Sequence, residues 1–114
     1  MPNYIKKILN EFVTGLDNII GSSLINVILY GSYARGEQNK NGEQSDIDIM
    51  ILVDAPLEDI KKLQKSVLDY SFDLNLKYNI LLSPIVENIE VFNHRREFMV
   101  FYKNVQKEGV LING

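Results

Sequence analysis

Apolar residues recur every three or four positions near the start of the chain. Between residues 4 and 20 they are Ile5, Ile8, Leu9, Phe12, Val13, Leu16 and Ile19. This spacing predicts an amphipathic helix with one buried stripe. We expect Gly21 to end that helix, because glycine readily adopts the backbone conformation that follows a last helical turn.

Three short apolar runs predict strands, at residues 25–30, 46–53 and 78–86. A helix is predicted between the last two runs, to about residue 76, since apolar residues return there at helical spacing. Pro84 suggests that the third strand lies at a sheet edge, where a missing N–H is tolerated. A last helical region is expected to end near Gly109, which gives the order α-β-(α)-β-α-β-α.

Composition bounds the class of protein. The chain has 114 residues, 46% of them hydrophobic and 24% charged, so we expect one globular domain over residues 1–114. It has no cysteine, which excludes a disulfide framework and thiolate zinc sites. No signal-peptide core or apolar run of about 20 residues is present, so a cytoplasmic protein without a membrane span is expected. The net charge of -3 argues against an extended nucleic-acid surface.

Two carboxylates stand at the start of the second predicted strand. Asp46 and Asp48 should point to the same face, about 7 Å apart along the strand. Anions so close repel each other unless a cation lies between them, and magnesium prefers such oxygen ligands together with substrate phosphates. Taken alone, however, an Asp-x-Asp pair at a strand end is more typical of a turn cap beside a solvated carboxylate.

A Gly-Ser pair upstream favours the metal interpretation. Gly31 and Ser32 follow the first predicted strand and open a helical turn, where backbone N–H groups can approach an anion. Arg35 and the hydroxyl of Ser45 are candidate further donors to phosphate. The segment is not a P-loop, because the lysine that this motif requires is replaced by Glu37.

The stretch "GSYARGEQNKNGEQSDIDIMILVD" resembles the signature of the DNA polymerase beta-like nucleotidyltransferase superfamily, G-S followed by D-x-D. Its amino-acid motif is similar to that of the minimal nucleotidyltransferases of bacteria and archaea. The resemblance implies an α/β (α+β) fold with a small mixed sheet of three to four strands flanked by helices. It also implies metal-dependent transfer of a nucleoside monophosphate, AMP from ATP, to an acceptor hydroxyl. Gly31 and Ser32 would then bind the triphosphate, and Asp46 and Asp48 would hold two magnesium ions. Arg35 would brace the phosphates or the loop.

The superfamily has a third catalytic carboxylate on the next strand, and here the match is incomplete. The expected position is Asn79, whose amide cannot act as a base or carry negative charge. Asp69 and Asp73 remain alternatives if the third strand starts earlier than residue 78. This departure raises the alternative of a weak or inactive module that binds a nucleotide and a partner.

A single small domain is too short to enclose a large acceptor, so the resemblance also implies a protein partner. Minimal nucleotidyltransferases are often paired with a small helical protein of the HEPN type as antitoxin and toxin, and some transfer AMP to a tyrosine of that protein. We therefore expect a HEPN-type partner or a homodimer, and the acceptor is left open.

Overall fold

The computed structural model describes residues 1–37 and 46–113. Its helices and strands, in chain order, are α1 (Asn3–Ile19), β1 (Leu24–Tyr30), α2 (Ser32–Arg35), β2 (Ile47–Val53), α3 (Leu57–Tyr78), β3 (Leu82–Asn88), α4 (Ile89–Arg95), α5 (Val100–Glu108) and β4 (Val110–Leu111). A short 3-10 turn separates α1 from β1. In this part of the chain, no helix has the length and apolar character that crossing a membrane requires.

The strands of the described residues form one mixed sheet in the order β3-β2-β1-β4. Strand β1 pairs antiparallel with β2 and with β4, whereas β2 and β3 are parallel and joined through α3. This arrangement confirms the expected small mixed sheet flanked by helices. Pro84 lies on β3, which is an edge strand as the sequence predicted.

Strand β2 is covered on both faces, which explains its unbroken apolar sequence. Its residues Ile47, Ile49, Ile51 and Val53 belong to the core cluster that contains the buried stripe of α1. On the opposite face, Met50 and Leu52 pack in a second cluster with Phe92, Tyr102 and Val105 of α4 and α5. Because side chains alternate along a strand, Asp48 lies on this second face, at the end of the apolar row.

Two carboxamides of α3 cover the outer edge of β3. Gln64 donates from Nε2 to the Pro84 carbonyl at 3.0 Å and accepts from the Val86 N–H at 2.6 Å. Asn75 accepts from the Leu82 N–H at 2.7 Å and donates to the Leu82 carbonyl at 3.4 Å. These bonds satisfy edge groups that would otherwise be available to pair with another strand.

The third strand begins later than the sequence pattern predicted. Helix α3 continues to Tyr78, and Asn79 ends it with a left-handed backbone (φ 52°, ψ 52°). The expectation that Asn79 lies on the strand beside the catalytic carboxylates is therefore wrong. The alternatives Asp69 and Asp73 also fail, because both lie within α3.

Candidate active site

The turn after β1 has a backbone that only glycine adopts without strain. Gly31 has φ 74° and ψ -153°, a combination that is nearly exclusive to glycine. Helix α2 then begins at Ser32. The first N–H groups of a helix have no partner inside it, so the turn presents donors next to the end of β1.

Asp48 lies directly against this turn. In the β1–β2 register, Tyr30 is opposite Asp48, and a Cβ added to Gly31 would collide with the Oδ2 atom of Asp48. A glycine is thus required for a second reason, since any side chain here would displace the carboxylate. The antiparallel pairing of β1 with β2 thus brings Gly31 and Asp48 together.

Asp46 acts electrostatically on Asp48. Asp46 is exposed and stands one residue before β2, while Asp48 is partly buried. The pKa of Asp48 is raised, first by burial and then by the negative charge of Asp46, and the positive charge of Arg35 opposes that rise. In the metal-free protein the two carboxylates therefore repel each other, as the sequence predicted.

This donor set fits a hard divalent cation. Magnesium is commonly held by one or two carboxylates together with substrate phosphates and water, and the described residues supply such a pair beside a phosphate-accessible turn. In residues 1–37 and 46–113, no three His, Cys, Asp or Glu side chains form a metal-binding group. Asp46 and Asp48 therefore remain the candidate metal ligands that the sequence predicted.

Arg35 connects the turn with α5. Its guanidinium forms ion pairs with Glu37 at 3.2 Å and with Glu108 at 3.1 Å, and these carboxylates raise its pKa. All three side chains are substantially exposed, so the pairs contribute little stability. Arg35 also lies close enough to Asp48 for its positive charge to act on that carboxylate.

A cleft of about 240 Å³ opens beside Gly31. Its walls include Gly31 and Arg35 on one side and Phe101, Asn104 and Glu108 of α5 on the other. The ring of Phe101 packs edge-on against Tyr30, with centroids 5.7 Å apart. The cleft therefore places aromatic and polar side chains of α5 within the surroundings of the proposed metal site.

The sequence did not reveal that Tyr30 and Ser83 flank Asp48 on the two neighbouring strands. The strand registers place Tyr30, Asp48 and Ser83 side by side in one row across three strands. Burial, followed by the charges of Asp48 and Tyr102, raises the pKa of Tyr30 to about 12, so it stays a neutral hydroxyl. Ser83 precedes Pro84, the residue that predicted an edge strand. Its position on that strand becomes clear only once the end of α3 is known.

The other predicted residues have different outcomes. Ser32 is the first residue of α2, next to Gly31. Ser45 lies outside the described residues. Asn79 lies at the end of α3, three residues before the strand that carries Ser83.

Comparisons with known proteins identify the family. The model of the nucleotidyltransferase domain family matches residues 5–111, so the chain belongs to that family, and its resemblance to minimal nucleotidyltransferases is confirmed. A Methanocaldococcus jannaschii protein named "putative protein adenylyltransferase" is 36% identical over 104 residues, 91% of this chain and 93% of its own. A second protein of that name and organism is 40% identical over 80 residues, covering 70% of this chain and 76% of its own.

A solved structure shares the fold. One chain of the "Crystal structure of the toxin-antitoxin with AMP-PNP" aligns with a TM-score of 0.58 and 21% identity, covering 91% of this chain and 72% of that chain. At this identity the likeness establishes the architecture alone.

Proposed function

We propose that this chain is a metal-dependent adenylyltransferase that transfers AMP from ATP to a hydroxyl of a partner protein. In this reaction the acceptor oxygen bonds to the α-phosphorus and loses its proton to solvent. The bond from the α-phosphorus to the oxygen that bridges the α- and β-phosphates breaks, and pyrophosphate leaves. Gly31 and Ser32 bind the triphosphate. Asp46 and Asp48 hold magnesium, which when bound neutralises phosphate charge and aligns the displacement.

The contact between Asp48 and Gly31 carries this proposal. It puts a partly buried carboxylate against a turn whose N–H groups suit an anion. A carboxylate and a phosphate repel each other at such short range, so their coexistence requires a cation between them. The raised pKa of Asp48, caused by burial and by Asp46, is consistent with a site that is incomplete until a cation binds.

Supporting evidence for a protein partner comes from an exposed apolar segment at the start of α5. Phe98, Met99, Val100 and Phe101 are consecutive, and their exposed fractions are 60%, 39%, 70% and 44%. Exposed apolar patches of this kind mark interaction sites. Since Phe101 contacts Tyr30 in the row of Asp48, a partner docked on this segment would lie next to the site. We propose a HEPN-type helical protein as this partner, with the pair acting as toxin and antitoxin in the cytoplasm.

A second candidate function is a nucleotide-binding antitoxin or regulator with weak or no transfer activity. The observation that favours it is the neutral Ser83 beside Asp48, on the strand where the family resemblance implies a third carboxylate. Such a protein would bind magnesium and ATP and grip its partner without modifying it.

Incubation with ATP labelled at the α-phosphate, magnesium and a co-expressed HEPN-type partner tests the proposal. We expect label on the partner with the wild type and none with Asp46→Asn/Asp48→Asn. The double variant Asp69→Asn/Asp73→Asn, which removes the same charge from α3, should label normally. Absence of label with retained nucleotide binding would support the second candidate function instead.

A further inference from the structure

We infer that this site holds one divalent ion together with the nucleotide, instead of the two that the family resemblance implies. The inference rests on the proposed function and concerns the stoichiometry of the same site. Its basis is the row formed by Tyr30, Asp48 and Ser83, in which Asp48 has neutral hydroxyl residues on both neighbouring strands.

The register fixes the position of Ser83. Strands β2 and β3 are parallel, and Asp48 is paired with Ser83, so both side chains lie on the same face with strands about 4.8 Å apart. A carboxylate at residue 83 would be the nearest third acidic ligand. A serine hydroxyl can contact a metal but supplies no negative charge at neutral pH.

The other carboxylates in the described residues do not replace it. Glu87 shares this face of β3, but it lies four residues from Ser83, about 13 Å along the strand. It also accepts a hydrogen bond from Tyr102 at 2.8 Å and faces the Arg95 guanidinium at 3.6 Å. Glu37 after α2 and Glu108 on α5 are both paired with Arg35.

One bound magnesium ion requires fewer anionic ligands than two. A single magnesium ion is satisfied by one or two carboxylates, phosphate oxygens and water, and Asp46, Asp48 and a triphosphate supply these. Two ions about 3.5–4 Å apart need more anionic ligands to offset their mutual repulsion. Among residues 1–37 and 46–113, the site has carboxylates for the first ion and no third carboxylate in the row of Asp48 to hold the second.

This stoichiometry has a consequence for the acceptor. The ion that remains is the one that accompanies the nucleotide, because nucleotide phosphates complete its ligand set. The site then supplies no second ion to lower the pKa of the acceptor hydroxyl.

Counting bound manganese tests the inference. Manganese is titrated into the protein saturated with a non-hydrolysable ATP analogue, and the unbound ion is measured by electron paramagnetic resonance, with the analogue alone as reference. The wild type should bind one manganese per protein–nucleotide complex. Ser83→Asp should bind two, with the second at least roughly tenfold tighter than any second ion in the wild type. Ser83→Asn, of similar size but neutral, should still bind one.

The possible outcomes distinguish failure of the one-ion inference from failure of the proposed function. Two manganese ions in the wild type would overturn the inference and leave the proposed function standing. This measurement uses the wild type alone, so it does not depend on whether a variant folds. One ion in folded Ser83→Asp would show that Ser83 is not the deficient position and would also overturn it. No manganese–nucleotide binding by the wild type would refute the proposed function itself.

Discussion

Gly31 and Asp48 are in such close contact that the Oδ2 atom of Asp48 occupies the side of Gly31 where a side chain would begin. Gly31 sets the backbone of the proposed phosphate-binding turn, and Asp48 presents a carboxylate to the same space. The relationship depends on the antiparallel register that sets Tyr30 opposite Asp48. Changes at either residue should therefore affect the site more than the fold.

Gly31→Ala should damage the site. The added Cβ would displace the Asp48 carboxylate, and the backbone conformation would be strained by about 1–3 kcal/mol. We expect a loss of magnesium–nucleotide affinity of at least roughly tenfold, measured by calorimetry, together with lower stability in urea denaturation.

Gly36→Ala is the matched control. Gly36 also has a positive φ of 72°, but a Cβ added there would meet no atom within 4 Å. It should lose about 1–2 kcal/mol of stability and keep its nucleotide affinity. Equal affinity losses in both variants would show that backbone strain alone, and not the contact with Asp48, controls binding.

Asp48→Asn should stabilise the metal-free protein at neutral pH by about 0.5–1 kcal/mol. Burial and Asp46 raise the pKa of Asp48, so its ionised form is disfavoured by folding. That penalty is present above the folded-state pKa and disappears as the pH falls and Asp48 becomes protonated. The stability gain should accordingly shrink on acidification, as measured by chemical denaturation across pH.

Asp73→Asn, the same change on an exposed position of α3, should show no such gain. Added magnesium and nucleotide should make the wild type more stable than Asp48→Asn, since that variant lacks the carboxylate proposed to bind the metal. A gain for Asp48→Asn that persists at low pH would contradict this electrostatic explanation.

Arg35 and Glu108 should have opposite effects on nucleotide binding. Arg35→Gln removes a cation beside the turn and should weaken binding roughly tenfold. Glu108→Gln breaks the 3.1 Å ion pair, leaves Arg35 available to phosphates and should strengthen binding severalfold. Lys65→Gln, which breaks an exposed ion pair on α3, serves as the control and should change nothing. Weaker binding in Glu108→Gln would show that this ion pair positions Arg35 productively.

Gln64→Ala should destabilise the fold by about 1–2 kcal/mol, because two backbone groups of β3 lose their partner. Exposure of the strand edge should also increase aggregation, which light scattering during heating would detect. Gln106→Ala, at an exposed position of α5, is the control and should behave like the wild type. No difference between the two variants would contradict the proposed protection of the edge.

Phe98→Glu/Val100→Glu should abolish capture of the partner and leave magnesium–nucleotide binding intact. The measurement is co-purification with a HEPN-type partner. Phe72→Glu provides the comparison, because Phe72 is 62% exposed but lies on α3. Loss of capture only in Phe72→Glu would place the interface on α3 instead.

The sequence predicted those parts of the fold that depend on periodicity and turn chemistry. The buried stripe of α1 and the double burial of β2 follow from the order of apolar residues. The glycine turn and the strand start at Asp48 were both predicted, and the antiparallel pairing of β1 with β2 brings them together. The Asp46–Asp48 repulsion followed from spacing alone.

The third strand was misplaced because its signal is ambiguous. Residues 78–86 are apolar enough for a strand, but Tyr78 still belongs to α3, and the left-handed conformation of Asn79 ends the helix. Periodicity does not reveal such a cap. The last helical region likewise divides into α4 and α5. Strand β4 follows Gly109, and so short a strand forms because it pairs with β1 in the folded protein.

The central claim is that Asp46 and Asp48 hold the metal that binds a nucleotide beside Gly31. Calorimetric titration with magnesium and AMP-PNP tests it most directly, comparing the wild type with Asp46→Asn/Asp48→Asn and with the charge-matched Asp69→Asn/Asp73→Asn. The account predicts binding by the wild type and the control, and a loss of about 100-fold or more in the site variant, equivalent to about 2.7 kcal/mol. Equal affinity in all three proteins would contradict it.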